Sequence, residues 1–280
     1  MQIPASTTLE ARPARIFPRP GGVRFCTVLG RSELRYALYV PGRVGPESPC
    51  LVSIHGISRN AREHARRFAS YAEPLGAVVV APLFGRTHFP GYQRLGRGLR
   101  AVEGLDCILD DVARRTGVRT QRLHLFGHSG GGQFVHRYVM FHPQRIVRAA
   151  VSAAGWYTFP DPALPYPYGL RGAARVWGRP VEPWRLLRVP VAVFVGERDT
   201  TQQALRREPA LDLQQGTDRI QRGRAWTRAM ARAAGRLGLA TPFPFELLPQ
   251  AGHDFGEAVD RGGLVRRAMA FLFDGNEGVS

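Results

Sequence analysis

Three side chains of the types used in nucleophilic catalysis stand far apart in this 280-residue chain: Ser129, Asp199 and His253. A serine hydroxyl is a weak nucleophile at neutral pH. It needs a base within hydrogen-bond reach, and the base needs a partner that fixes its tautomer. Each of the three follows an apolar run. Ser129 lies in Gly127-His128-Ser129-Gly130-Gly131 after LHLF, Asp199 follows VAVFVGER, and His253 follows FELLPQAG. A G-x-S-x-G pentapeptide between a strand and a helix is a tight, strained turn that holds the serine clear of the fold, with glycines where side chains would collide. The roles that follow are Ser129 as nucleophile, His253 as general base and then acid, and Asp199 as the carboxylate that orients and charge-stabilises His253. Glu197 is the nearest rival for the carboxylate role. The plainer readings of the same residues are a glycine-rich turn that contains a serine, a turn or capping aspartate, and a surface-loop histidine.

A tetrahedral intermediate also needs donors for its oxyanion. The backbone N–H of Gly130, directly after the nucleophile, is one. The second is expected from Ile57 in His55-Gly56-Ile57, with Ser58 next in line. Losing one such donor typically costs about 100- to 1000-fold in rate. His128 is adjacent to the nucleophile, so it points away from the base position and is expected to pack beside the site. Asp254 is read as the cap of the last helix. Trp156, Tyr157 and His128 are the expected substrate-binding side chains.

The elements that must position these groups alternate. Residues 23–29 and 34–40 read as an antiparallel hairpin. Strands are expected at Cys50–His55, Ala77–Ala81 (stopped by Pro82), in the short apolar run from Leu123 up to the turn at Gly127, and at Ile146–Ser152, Val189–Val195 and Phe243–Leu248. Helices are expected over 61–72, 99–116, 218–237 and, as one continuous piece, 254–273, with another after the serine turn carried by Phe134, Val135, Tyr138 and Val139 at helical spacing. The near-continuous apolar strands predict an α/β fold with a mostly parallel central sheet covered by helices on both faces. In such sheets the site lies beyond the carboxyl ends of the strands, where His55-Gly56, Ser129, Asp199 and His253 all fall. Residues 1–22, rich in Pro, Arg and Gly, read as a flexible N-terminal segment, 23–273 as the domain, and 274–280 as a tail. Segment 156–188, crowded with proline and aromatics, breaks the rhythm. It reads either as a cap inserted over Ser129 or as a surface excursion whose aromatics close a satellite core.

Apolar content of 44% and charged content of 22% are those of a globular protein. The formal charge is +17, and all 39 basic residues are arginine. That total absence of lysine fits a GC-rich coding bias better than selection for phosphate contact. The arginines are scattered, which argues against a nucleic-acid-binding face; a basic surface that attracts anionic polymers or substrates fits better. The cysteines, Cys26, Cys50 and Cys107, lack metal-ligand spacing and suggest reduced thiols in the cytosol, with a disulfide left open. The N-terminus lacks the apolar core of a secretory signal, and no apolar run approaches membrane-spanning length. The expected location is cytoplasmic, with no membrane partner.

Together, GHSGG, the HGI turn, GERD and GHDF resemble the α/β-hydrolase superfamily over residues 23–273. The segment leading into CLVSIHG, with GERDTT and AGHDF, looks like bacterial esterases and polyhydroxyalkanoate-depolymerase-like proteins. The resemblance implies a serine esterase working through an acyl-enzyme, without cofactor or metal. Its partner would be a small-molecule ester with an apolar or aromatic part, or an anionic one given Arg171, Arg175 and Arg179 nearby. The alternatives are a non-catalytic α/β-hydrolase-like binding protein, or an amidase or acyltransferase on the same triad. The oligomeric state is left open.

Overall fold

The structure is a computed structural model that describes residues 21–95, 100–201 and 205–274. Its strands are β1 (Arg24–Val28), β2 (Arg31–Tyr39), β3 (Cys50–Ile54), β4 (Val78–Leu83), β5 (Leu123–His128), β6 (Ile146–Ser152), β7 (Val191–Gly196) and β8 (Phe245–Leu248). They form one sheet in the order β1-β2-β4-β3-β5-β6-β7-β8. The β1–β2 and β2–β4 pairs are antiparallel, and every pairing from β4 across to β8 is parallel. Every residue of β3, β5 and β7 is buried, as parallel strands covered on both faces require. The chain leaves β3 for β4 on one side and returns to β5 on the other. The crevice at the carboxyl ends of β3 and β5 is therefore the topological switch point of the sheet.

Helices α1 (Ala61–Ala72), α2 (Arg100–Thr116), α3 (Gly130–Phe141), α4 (Ala174–Trp177), α5 (Pro183–Leu186), α6 (Pro209–Gln215), α7 (Arg219–Arg236), α8 (Phe255–Asp260) and α9 (Leu264–Phe273) cover the sheet. Alternate strand residues feed two cores. Leu51, Phe126 and Phe194 pack with Phe68 of α1 and Leu272 of α9. Val52, Leu125 and Val193 pack with Leu105 of α2, Phe134 of α3 and Trp226 of α7. The period-2 geometry of the strands makes this division.

Several expectations are corrected. Pro82 does not stop β4, which runs on to Leu83. The β3 ladder ends at Val80, and Pro82 pairs only with Tyr36 of β2, so its missing N–H leaves no partner unpaired on the β3 side. The single helix expected over 254–273 is two. The chain breaks at Gly262–Gly263, where Gly263 has φ +64 and a Cβ on Gly262 would lie 2.7 Å from the Ala258 carbonyl oxygen. Asp254 caps α8 by accepting from the Glu257 N–H. Helix α6 was not anticipated. The expected flexible segment 1–22 falls almost wholly outside the described residues, as does the tail beyond Asp274.

Histidine burial gives this fold an acid limit. His55, His64, His124, His128, His136 and His142 all have pKa values pushed down, chiefly by burial, to about 4 for His55 and His124 and about 3 for His128 and His142. Two of them accept a backbone proton, His55 from Phe84 N–H and His136 from Thr158 N–H, which only a neutral ring can do. Each binds a proton more weakly folded than unfolded. Stability is thus fully present above the unfolded value of about 6.5 and is lost as the pH falls through the folded values. Urea denaturation followed from pH 7 to pH 4 should show a steady fall in stability below about pH 6.5, with uptake of about six protons on unfolding near pH 5. A stability curve flat to pH 5 would contradict the buried neutral histidines.

Candidate active site

The site is built on close backbone approaches. Ser129 joins β5 to α3 with φ 53 and ψ −113, a left-handed conformation that costs a non-glycine residue strain. Its N–H donates to the Ser152 carbonyl of β6 at 2.8 Å, which ties the turn to the sheet. A Cβ on Gly131 would lie 2.0 Å from the Ile54 carbonyl oxygen, and one on Gly127 would lie 2.3 Å from the Gly131 carbonyl oxygen. The turn can sit this deep between β3 and α3 only because those positions lack side chains.

The structure brings the three widely separated residues together. The Ser129 hydroxyl donates to His253 Nε2 at 3.0 Å, and His253 Nδ1–H donates to Asp199 Oδ2 at 2.8 Å. The carboxylate can only accept, so it assigns the Nδ1–H tautomer and leaves Nε2 free to accept from the serine. Asp199 is fully buried, and its other oxygen accepts from Arg219 at 2.9 Å, a guanidinium at the start of α7 that is itself buried. Glu197, the rival carboxylate, instead accepts from the Gln250 N–H and holds the loop before His253.

His128 packs beside the site as expected. Its Nε2–H donates to the His253 backbone carbonyl at 3.0 Å, and its Nδ1 faces the Ser152 hydroxyl at 3.1 Å. Burial, then the neighbouring His253, push its pKa down to about 3, so it stays neutral and pins the His253 loop to β5 and β6.

The Ile57 and Gly130 amides are close neighbours: a Cβ on Gly130 would be 3.7 Å from the Ile57 nitrogen. Two side chains hold this turn: His55, expected at this edge but without a role, and Tyr92, which carries no signal in the sequence. His55 Nδ1–H donates to the Gly56 carbonyl at 2.7 Å, and the Tyr92 hydroxyl donates to the His55 carbonyl at 2.6 Å. Nothing local to Tyr92, 37 residues downstream, signals this contact.

Ser129, His253, His128, Ile57 and Gly130 line a cleft of about 960 Å³ that also includes Trp156, Arg94 and Arg206. Tyr157 does not reach it. The ring is wholly buried and stacks on Trp226, 5.1 Å between centres, because residue 157 faces the core where 156 faces the cleft. Of segment 156–188, Trp156 alone lines the cleft, while Tyr157, Phe159 and Trp177 enter the core. Arg171, Arg175 and Arg179 lie away from it. Among the described residues no group of three or more His, Cys, Asp or Glu side chains is arranged to hold a metal ion, and no helix is long and apolar enough to cross a membrane.

The glycine geometry makes a contrast that can be measured. Gly131→Ala, whose new Cβ meets the Ile54 and His55 backbone, should destabilise by about 3 kcal/mol or more or prevent folding. Gly235→Ala, on the open surface of α7 with nothing within 4 Å of the new Cβ, should stabilise by about 0.5 kcal/mol. Similar unfolding midpoints for the two variants would show that the turn is not steric in origin.

No protein-family model matches the chain. Among curated proteins, the bifunctional acetylxylan esterase/xylanase XynS20E of Neocallimastix patriciarum is 29% identical over 101 residues, 35% of this chain; the match spans only 15% of that protein. Among solved structures, poly(aspartic acid) hydrolase-1 from Sphingomonas sp. KT-1 superposes with a TM-score of 0.75 and 27% identity, covering 91% of this chain and 99% of that one. LpqC, a poly(3-hydroxybutyrate) depolymerase from Bordetella parapertussis, gives a TM-score of 0.71 and 24% identity over 92% of each chain. The strand order, the turn between β5 and α3 and these structural neighbours show that the chain has the α/β-hydrolase fold.

Proposed function

We propose that this protein is a serine hydrolase that cleaves carboxylic esters through an acyl-enzyme on Ser129. The observation that carries the proposal is the unbroken hydrogen-bonded chain from Ser129 through His253 to Asp199 at the floor of an open cleft. In this reading His253 takes the serine proton as Oγ attacks the substrate carbonyl. The oxyanion that forms is met by the N–H groups of Ile57 and Gly130. His253 then returns the proton to the departing alcohol, leaving an ester on Ser129. A water molecule activated by the same imidazole attacks that ester and releases the acid. Asp199 stabilises the imidazolium at both stages without itself taking the proton, and its other oxygen is held by Arg219. Trp156 and His128 remain the proposed substrate-facing side chains.

The names of the similar proteins, an acetylxylan esterase among them, support hydrolysis in general. A second reading, amide cleavage, is favoured by one of them: poly(aspartic acid), after which the Sphingomonas protein is named, is a polyamide. The same nucleophile, base and donors would serve that bond.

Ser129→Ala should abolish turnover of short 4-nitrophenyl esters while leaving the circular dichroism spectrum unchanged, and a fluorophosphonate probe should label the wild type at Ser129 and the variant not at all. Asp199→Asn should lower kcat by about 10³- to 10⁴-fold, because the histidine is then held in the wrong tautomer. Undiminished turnover in Ser129→Ala would identify the wrong nucleophile.

A further inference from the structure

Arg137 sits eight residues after Ser129 on α3 and is fully buried. Its guanidinium donates to the Gln93 and Gln133 carbonyls at 2.9 and 3.1 Å and to the Thr158 hydroxyl at 3.2 Å, while Nη2 has no hydrogen-bond partner. No carboxylate pairs with it among the described residues. Its charged neighbours are two more arginines, Arg206 and Arg94; burial, then these like charges, push its pKa down to about 10 against the opposing effect of Tyr166. A buried cation is expensive unless a counter-charge answers it.

Two of the three guanidiniums gather at one residue of the cleft wall. The Arg137 and Arg206 carbons lie 4.3 and 5.1 Å from the centre of the Trp156 ring. Arg94 and Arg206 line the cleft itself, together with Trp156 and Ser129. One carboxylate, Glu208, serves this group, paired to Arg206 at 2.7 Å. Arg94 has no ion pair among the described residues. The cleft's own carboxylates are engaged elsewhere: Glu63 accepts from Asn60 and pairs with Arg67, and Asp254 caps α8. Three neighbouring cations against one anion leave a positive region on this side of the cleft, beside the nucleophile, in a chain whose charge is +17 overall.

We infer that the Arg94–Arg206 wall of the cleft is a subsite for a carboxylate, so that the protein selects an ester bearing an acid group, with the hydrocarbon between acid and carbonyl lying along Trp156. This rests on the serine-hydrolase reading above. A substrate carboxylate would supply the anion that the arginine group lacks, and guanidinium pairs hold carboxylates strongly and directionally.

The test compares matched esters. 4-Nitrophenyl hemiglutarate carries the acid on its acyl part, and the butyrate ester of 4-hydroxybenzoate carries it on the alcohol part; 4-nitrophenyl valerate and phenyl butyrate are their neutral counterparts. At low salt, kcat/KM for at least one acidic ester should exceed that of its neutral match by about tenfold or more, and the preference should shrink as salt rises. Arg94→Gln and Arg206→Gln should each lower the acidic-to-neutral ratio about fivefold, mainly through KM of the acidic ester. The ratio cancels any general loss of activity or folding. A ratio near one for both pairs, or a preference that neither substitution changes, would overturn the subsite. Ester hydrolysis lost in Ser129→Ala but blind to charge would sink the subsite alone, whereas hydrolysis that survives Ser129→Ala would sink the reading beneath it.

Discussion

A carbonyl oxygen at the end of β3 leaves no room for a side chain at Gly131, and the rest of the site depends on that contact. With a Cβ only 2.0 Å from Ile54 O, any other residue would push α3 away from the sheet. Because α3 starts there, Ser129 is forced into its left-handed conformation, and the Gly130 amide is brought beside the amide of Ile57. The strain is stable because both flanks are rigid: β3 and β5 are hydrogen-bonded neighbours in the centre of the sheet, and α3 is buried almost throughout. Packing on this scale positions a hydroxyl more firmly than a surface loop could.

Around the turn, electrostatics is handled in two ways. Most buried polar rings are kept neutral and used as backbone clamps. His55 holds the HGI turn, His136 ties α3 to Thr158, and His128 ties the loop of His253 to the sheet. Asp199 is treated differently, being paired with Arg219 on one oxygen and with His253 on the other. The buried guanidinium offsets the cost of desolvating the carboxylate and fixes its plane, so its second oxygen faces the imidazole. The neutral clamps set the shape of the cleft, and this pair sets the tautomer of the histidine.

The cleft itself is unevenly charged. Its acidic residues are tied to Arg67, Asn60 and the amino end of α8, while the side near Trp156 carries arginines in excess. The proposed carboxylate subsite gives that excess a counter-charge, and the aromatic wall gives the intervening hydrocarbon a surface.

How much of this was readable in the linear chain follows from the range of the forces involved. Apolar runs of strand length, glycines around Ser129, and polar residues just past successive strand ends are local patterns, so the α/β class, the elbow and the gathering of Ser129, Asp199 and His253 at one sheet edge could be read from residue types alone. Asp254 as a helix cap was legible for the same reason. The break at Gly262–Gly263 was present in the sequence too, yet a continuous apolar stripe masked it. Tyr92, Arg219, Arg94 and Arg206 carry no such mark. In a chain whose 39 basic residues are all arginine, residue type does not distinguish a buried partner from a surface charge. Neighbouring Trp156 and Tyr157 are alike in sequence, but the path of the backbone sends one to the cleft and the other to the core. By itself the sequence determined which residues could react and that strands would deliver them to one rim. Tertiary structure alone decided which charges answer one another there, because that depends on packing between segments that share no local pattern.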